Sequence, residues 1–158
     1  MSPGFTLIEI MVVVTIISFL AMMAVPVFTR IENRARASAT ANNLRVFEAA
    51  FQAYAAEKGG FPAPSDPGTL PPEMVDRIKA TDWSKTSPLG GHYAWETDEV
   101  FNGVHCRAVI TINTTGDSTL TGDADQLETL DRMIDDGNLN TGNLMFGGSG
   151  SLVWIVEH

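Results

Sequence analysis

The sequence is poor in the features that usually announce an enzyme or a secreted scaffold. It has one cysteine, Cys106, so no disulfide can close within the chain. In its strand-like surroundings Cys106 reads as a buried, inert thiol, since a reactive one needs electropositive neighbours and Arg107 alone is weak support. The three histidines, His92, His105 and His158, are scattered, and no His-x-x-x-His, Cys-x-x-Cys or Gly-x-Ser-x-Gly spacing occurs. The glycine-rich stretch 147–150 lacks the Lys-Ser/Thr of a phosphate loop. The Asn113-Thr114-Thr115 sequon falls inside a predicted strand and carries little weight. Catalysis is therefore not expected. Basic residues are also scarce: Gly59–His158 holds five Lys/Arg against fifteen Asp/Glu, while Met1–Lys58 holds five against four. That balance excludes the basic footprint a nucleic-acid partner needs.

No Lys or Arg precedes Arg30, and from Ile10 to Phe28 nineteen residues pass without a charge. At 1.5 Å per residue this run spans about 28 Å, close to a bilayer's hydrocarbon core. Its β-branched stretch, Val12 to Ile17, does not oppose a helix there, because a single segment in lipid can satisfy its backbone only as a helix. A cleaved secretory signal fits poorly. The start carries no basic residue, the apolar run is too long, and Met22 stands two before Ala24 where a small residue is required. Arg30, Arg34 and Arg36 flank only the C-terminal side, which by the positive-inside rule would hold the bulk of the chain in the cytoplasm. One acid, Glu9, stands at the edge of the run, where a carboxylate is costly unless paired. Pro26, near the other end, has no N–H and clashes with the carbonyl of Met22, which predicts a kinked or locally loosened helix.

The residues "GFTLIEIMVVVTIISFLAMMAVPVF" resemble the N-terminus of type IV pilins and type II secretion pseudopilins, with a match extending over about Gly4–Tyr54. The resemblance implies cleavage by a prepilin peptidase between Gly4 and Phe5 and methylation of the new amino group on Phe5. It implies that Glu9 pairs with the N-terminal ammonium of a neighbouring subunit and so sets the axial register. It also gives Pro26 a part in letting the stems bundle and stretch. The head would be exported, against the positive-inside reading. The leader Met1–Gly4 departs from the family pattern, being short and without the usual basic residue. Either it is minimal, or a basic leader begins upstream of Met1, which would remove the topology conflict.

Beyond Pro26 the pattern becomes amphipathic. Leu44, Phe47, Phe51 and Tyr54 share one helical face among many alanines, and Gly59-Gly60 followed by Pro62 end the helix. The expected organisation is a leader at 1–4, a transmembrane and assembly helix at 5–29, an amphipathic stem at 30–58 and a β-rich head at 59–158. In the head, 61–72 reads as a Pro- and Gly-rich loop and Pro72–Ala80 as a short helix. Residues 87–95 read as a turn entering a strand, with clearer strands at 106–115 and 151–157, the latter preceded by a flexible Gly-rich stretch. The fold class is α+β: a long N-terminal helix packed by its second half on a small antiparallel sheet.

Asp117, Asp123, Asp125, Glu128, Asp131, Asp135 and Asp136 crowd the next segment, opposed only by Arg132. Ala124–Ile134 reads as a helix capped by Asp123, with Leu127, Leu130 and Ile134 as its apolar face. Two readings stay open for the acids. One is a solvated helix followed by an Asx-rich turn. The other is a Ca²⁺ site using Asp131, Asp135, Asp136, Asn138 and Asn140, since hard oxygen donors suit that ion. The EF-hand spacing fails, but the resemblance adds that some major pseudopilins hold calcium in a C-terminal loop.

The expected function is a structural filament subunit of a type II secretion pseudopilus or a type IV pilus. By resemblance its partners are further copies of itself, minor pseudopilins or pilins, prepilin peptidase, an inner-membrane platform and an assembly ATPase. It would lie first in the bacterial inner membrane with its head in the periplasm, then in the filament. The alternative is a signal-anchored membrane protein that displays a small ligand-binding head.

Overall fold

The computed structural model describes residues 6–147 and 150–158. Gly4 and Phe5 of the expected cleavage site lie outside these residues, as do Gly148 and Ser149 of the expected flexible stretch. The chain divides into two compact units, Met1–Ala35 and Arg36–His158. Helix α1, Leu7–Lys58, supplies residues to both.

In the first unit the apolar side chains from Leu7 to Phe28 are exposed. The few polar ones are satisfied along the helix: Thr15 and Ser18 donate to the carbonyls of Met11 and Val14, each at 2.8 Å. Helix α1 continues through Pro26, and Thr29 donates to the Pro26 carbonyl at 3.0 Å. A helix that is apolar around its circumference and closes its own hydroxyl bonds is suited to lipid or to a bundle of like helices.

The second unit is α+β. Strands β1 (His92–Phe101), β2 (Val104–Asn113), β3 (Leu144–Gly147) and β4 (Ser151–Glu157) form an antiparallel sheet in the order β1-β2-β4-β3. Two short elements precede it: a 3₁₀ turn at Pro72–Met74 and helix α2 at Ala80–Ser84. Helix α3, Ala124–Ile134, lies in sequence between β2 and β3. The α1 residues Ala37, Thr40, Ala41, Leu44, Phe47 and Phe51 are buried at helical spacing. Most of them join one core with Tyr93, Trp95, Ala108, Ile110, Ile112, Leu152 and Trp154, which come from alternate positions of the strands. The register pairs Trp95 with Ile110 and Ile110 with Trp154, so large side chains sit side by side across three strands. Phe51 stacks on Trp95 with centroids 3.7 Å apart, and Phe47 meets Tyr93 edge-on at 5.1 Å. A second cluster, Cys106, Val109, Met145, Val153 and Ile155, holds the thiol in an apolar setting that pushes its pKa up.

The loop 61–72 is tied to the sheet edge. Ser65 and Gly68 donate backbone N–H groups to the Trp95 and Tyr93 carbonyls, and the Trp95 indole donates to the Pro62 carbonyl. The helix expected over Pro72–Ala80 is not continuous. Its first turn ends after Met74, and a new turn begins at Ala80 after an extended Lys79. The segment is too short for propensity to decide. Separate burial of Met74, Ile78 and Trp83 sets its path instead.

One turn depends on glycine. Gly90 has φ +84°, and a Cβ there would run into the Thr119 carbonyl. Gly90→Ala is expected to lower stability by about 1–3 kcal/mol from the backbone alone, with the clash adding to it. A urea titration against wild type measures this, and an unchanged midpoint would contradict it.

Candidate functional site

Two places gather the residues singled out by the sequence, one in each unit. In the first, Thr6 precedes α1 and Glu9 stands in its first turn. The Thr6 backbone N–H and hydroxyl both donate to Glu9 Oε2 at 2.8 Å, and the Glu9 N–H donates back to Thr6 Oγ1 at 3.3 Å. This is a reciprocal capping box. The carboxylate also faces the positive end of the helix dipole. Sequence reasoning assigned Glu9 a partner in a neighbouring subunit and missed the cap, although the Thr6-x-x-Glu9 spacing directly before an apolar run signals it. The cap holds the carboxylate at the start of the helix, accessible to another molecule, with Ile8 and Ile10 exposed beside it.

In the second unit the acidic segment folds from α3 outward. Asp123 caps the helix by accepting from the Gln126 N–H, and Leu127 and Leu130 are buried. Arg132 pairs with Glu128 one turn back at 2.9 Å on the exposed side. At the other end, the Arg45 guanidinium of α1 donates to the Met133 carbonyl at 2.7 Å, a cation satisfying the last turn of a helix. The loop then closes on itself. Asp135 Oδ2 accepts from the N–H groups of Asn143 and Leu144, which ties the end of α3 to the start of β3. Asp136 accepts from the Asn138 N–H at 2.8 Å and from the Thr141 hydroxyl at 2.7 Å. Asn138 Oδ1 accepts from the Asn140 N–H at 3.2 Å. Gly142, at φ +81°, leaves no room for a Cβ beside the Asp135 carboxylate.

Carboxylate oxygens of Asp131, Asp135 and Asp136 all lie within 4.8 Å of one another. Asp135 and Asp136 have donors, but Asp131 is different. It is fully buried, and among the described residues neither of its oxygens has a hydrogen-bond partner. Burial first, then the charges of Asp135 and Asp136, push its pKa up to about 6. The backbone N–H groups of Asn138 and Gly137 pull the other way, short of hydrogen-bond geometry. A buried, unpaired carboxylate facing two others is costly unless it holds a proton or a cation. The donor set is all oxygen and suits a hard divalent ion. Asn138 and Asn140 share the loop and are bonded to each other. Sequence reasoning chose these residues but not the burial of Asp131. That signal was present, because Leu127, Leu130, Asp131 and Ile134 fall at i, i+3, i+4 and i+7, which places the acid on the apolar stripe.

Comparison with known proteins bears on the first unit and on the fold. Residues 2–25 match the family described as the prokaryotic N-terminal methylation motif. Among solved structures the chain is similar to the major type IV pilin PilA1 from Clostridium difficile, with a TM-score of 0.57 and 16% identity. That likeness covers 80% of this chain and 97% of the other, and at such identity it is one of fold. No curated protein matches. The chain thus joins a prepilin-type methylation motif to an α+β fold like that of a type IV pilin.

Proposed function

We propose that the chain is a structural filament subunit, of a type II secretion pseudopilus or a type IV pilus, and that its work is mechanical and not catalytic. One observation carries the reading. The prepilin motif runs directly into a helix whose apolar side chains from Leu7 to Phe28 are exposed, a surface that needs lipid first and like helices afterwards. The leader is 1–4, the assembly helix 5–29, the stem 30–58 and the head 59–158. A prepilin peptidase cuts between Gly4 and Phe5, and the new amino group is methylated. The ammonium on Phe5 of one subunit meets Glu9 of the next, and Pro26 eases packing of the stems. An inner-membrane platform and an assembly ATPase draw subunits from the inner membrane, where the head faces the periplasm. Minor pseudopilins or pilins join the filament. The chain is expressed with an active prepilin peptidase and its intact mass is measured. A chain beginning at methylated Phe5 supports the reading. A chain retaining Met1 favours the signal-anchored head instead.

Calcium is the ion that best fits the loop after α3. Asp131, Asp135 and Asp136 would hold it, with Asn138 and Asn140 adding neutral oxygens, and the ion would neutralise the buried Asp131 and staple the loop. Calcium at a hundredfold excess over Kd should add about 2.7 kcal/mol to stability, a rise of several degrees in Tm, reversed by chelation. Asp131→Asn should abolish that response while stabilising the ion-free protein near neutral pH. The sign follows from the raised pKa. The ion-free folded state binds the Asp131 proton more tightly than the unfolded chain does, so this group's contribution is fully present below about pH 4 and is lost as pH rises through about 6. The gap between the asparagine variant and wild type should therefore widen from pH 4 to pH 7 in chemical denaturation. A calcium response that survives in the variant would end the assignment.

A further inference from the structure

The arginines that follow the apolar run have no part in the filament contacts described above. Arg30 and Arg34 are exposed, and among the described residues neither has an ion pair or hydrogen bond. They stand four apart on α1, on one face with Val27 and Ile31, both of which are exposed. Two like charges at this spacing repel, and an anion between them turns that repulsion into attraction. Their depth suits one kind of anion. Counted from Phe28 at 1.5 Å per residue, Arg30 lies about 3 Å and Arg34 about 9 Å beyond the uncharged run. The headgroup layer on each side of a bilayer is about 5–7 Å thick. Helical side chains lean toward the helix N-terminus, which brings the Arg34 guanidinium back toward that layer. Guanidinium groups bind phosphate oxygens two at a time.

The geometry points to a lipid-binding site: Arg30 and Arg34, flanked by Val27, Phe28 and Ile31, clamp the phosphate of an anionic phospholipid while the chain is in the membrane. This rests on the reading that residues 5–29 span a bilayer, and it holds whichever side the head occupies. The site gives the membrane-held subunit a grip that must be released on entering a filament. A neighbour's acidic head is the other possible occupant of this face, but the depth of the arginines and the apolar residues around them favour lipid.

The full chain, purified and reconstituted in phosphatidylcholine vesicles with and without phosphatidylglycerol, tests this with spin-labelled lipids of each class. Wild type should hold phosphatidylglycerol in preference to phosphatidylcholine. Each arginine removed should reduce that preference by about fivefold, so that R30Q/R34Q shows almost none. R30K/R34K should keep part of it, since charge remains without the planar fork. Far-UV circular dichroism checks that the helix is intact in each variant. An unchanged preference in the glutamine variant overturns the proposal and leaves the filament reading standing. A wild type without lipid preference whose glutamine variant loses filaments also overturns it, and assigns the arginines to a second copy. A chain that fails to insert in either vesicle overturns the membrane reading and this site with it.

Discussion

Glu9→Gln is expected to abolish filaments while leaving the chain inserted in the membrane and cleaved after Gly4. The choice of glutamine matters, because Glu9 has two separable roles. Within the chain it caps α1 by accepting from Thr6. A capping box accepts glutamine in place of glutamate, so the helix start should survive the change. Between chains, the proposed partner is the ammonium on Phe5 of a neighbour, and glutamine cannot neutralise it. Breaking one partner of a buried pair costs about 3–5 kcal/mol. Every 1.4 kcal/mol is tenfold in an equilibrium constant, so addition of each subunit weakens by about two to four orders of magnitude. Glu9→Ala should fail in the same assay, but it removes the cap as well and cannot tell the two roles apart. Sheared filaments are quantified against the membrane-bound pool for both variants. Glutamine filaments at wild-type levels would show that the acid serves the helix start and not the register.

The second large effect is expected in the head. Phe51→Ala removes a fully buried ring that stacks on Trp95 at 3.7 Å and meets Trp83 edge-on at 5.6 Å. Phe→Ala in such a core costs about 3–5 kcal/mol through lost transfer energy and the cavity left behind. Domains of this size hold about 5–15 kcal/mol in total. The variant should therefore melt about 10–20 °C below wild type, read by near-ultraviolet circular dichroism. Phe51→Leu fills most of the space and should recover much of the loss. A shift of only a few degrees in the alanine variant would mean that the seam between α1 and the sheet is not the main core of the second unit.

Much of this architecture was legible in the sequence because its signals are periodic. The stripe Leu44-Phe47-Phe51-Tyr54 marked the face of α1 that packs on the sheet, and Tyr54 packs at the edge of that core. Helix α3 begins and ends where its cap and apolar spacing placed it, at Ala124 and Ile134. Strand β2, with Ala108, Ile110 and Ile112 alternating, and strand β4, a short apolar run, were also evident. Elements that depend on distant partners were not. The second half of β1 carries the exposed Asp98 and Glu99 in succession and shows no apolar alternation. Its continuation to Phe101 comes from pairing with β2 across the Asn102-Gly103 turn, where both residues have positive φ. That dipeptide was the available signal. Strand β3 is four residues at the sheet edge, too short for a pattern to show. In the acidic loop the residue types suggested an ion, and the place of Asp131 on the apolar stripe of α3 was the unused signal for its burial. At the N-terminus the motif identified Glu9, but the resemblance drew attention to its charge and away from its cap.

Image reconstruction of filaments recovered from cells expressing this chain with its assembly machinery tests the central claim most directly. The account predicts a polymer of this chain with the apolar residues Leu7 to Phe28 bundled inside and the Arg36–His158 units outside. In it, the Phe5 nitrogen of one subunit lies within ion-pair distance of Glu9 in the next. Cells that process and insert the chain yet yield no filament containing it, or a filament with Glu9 facing solvent, would contradict the account.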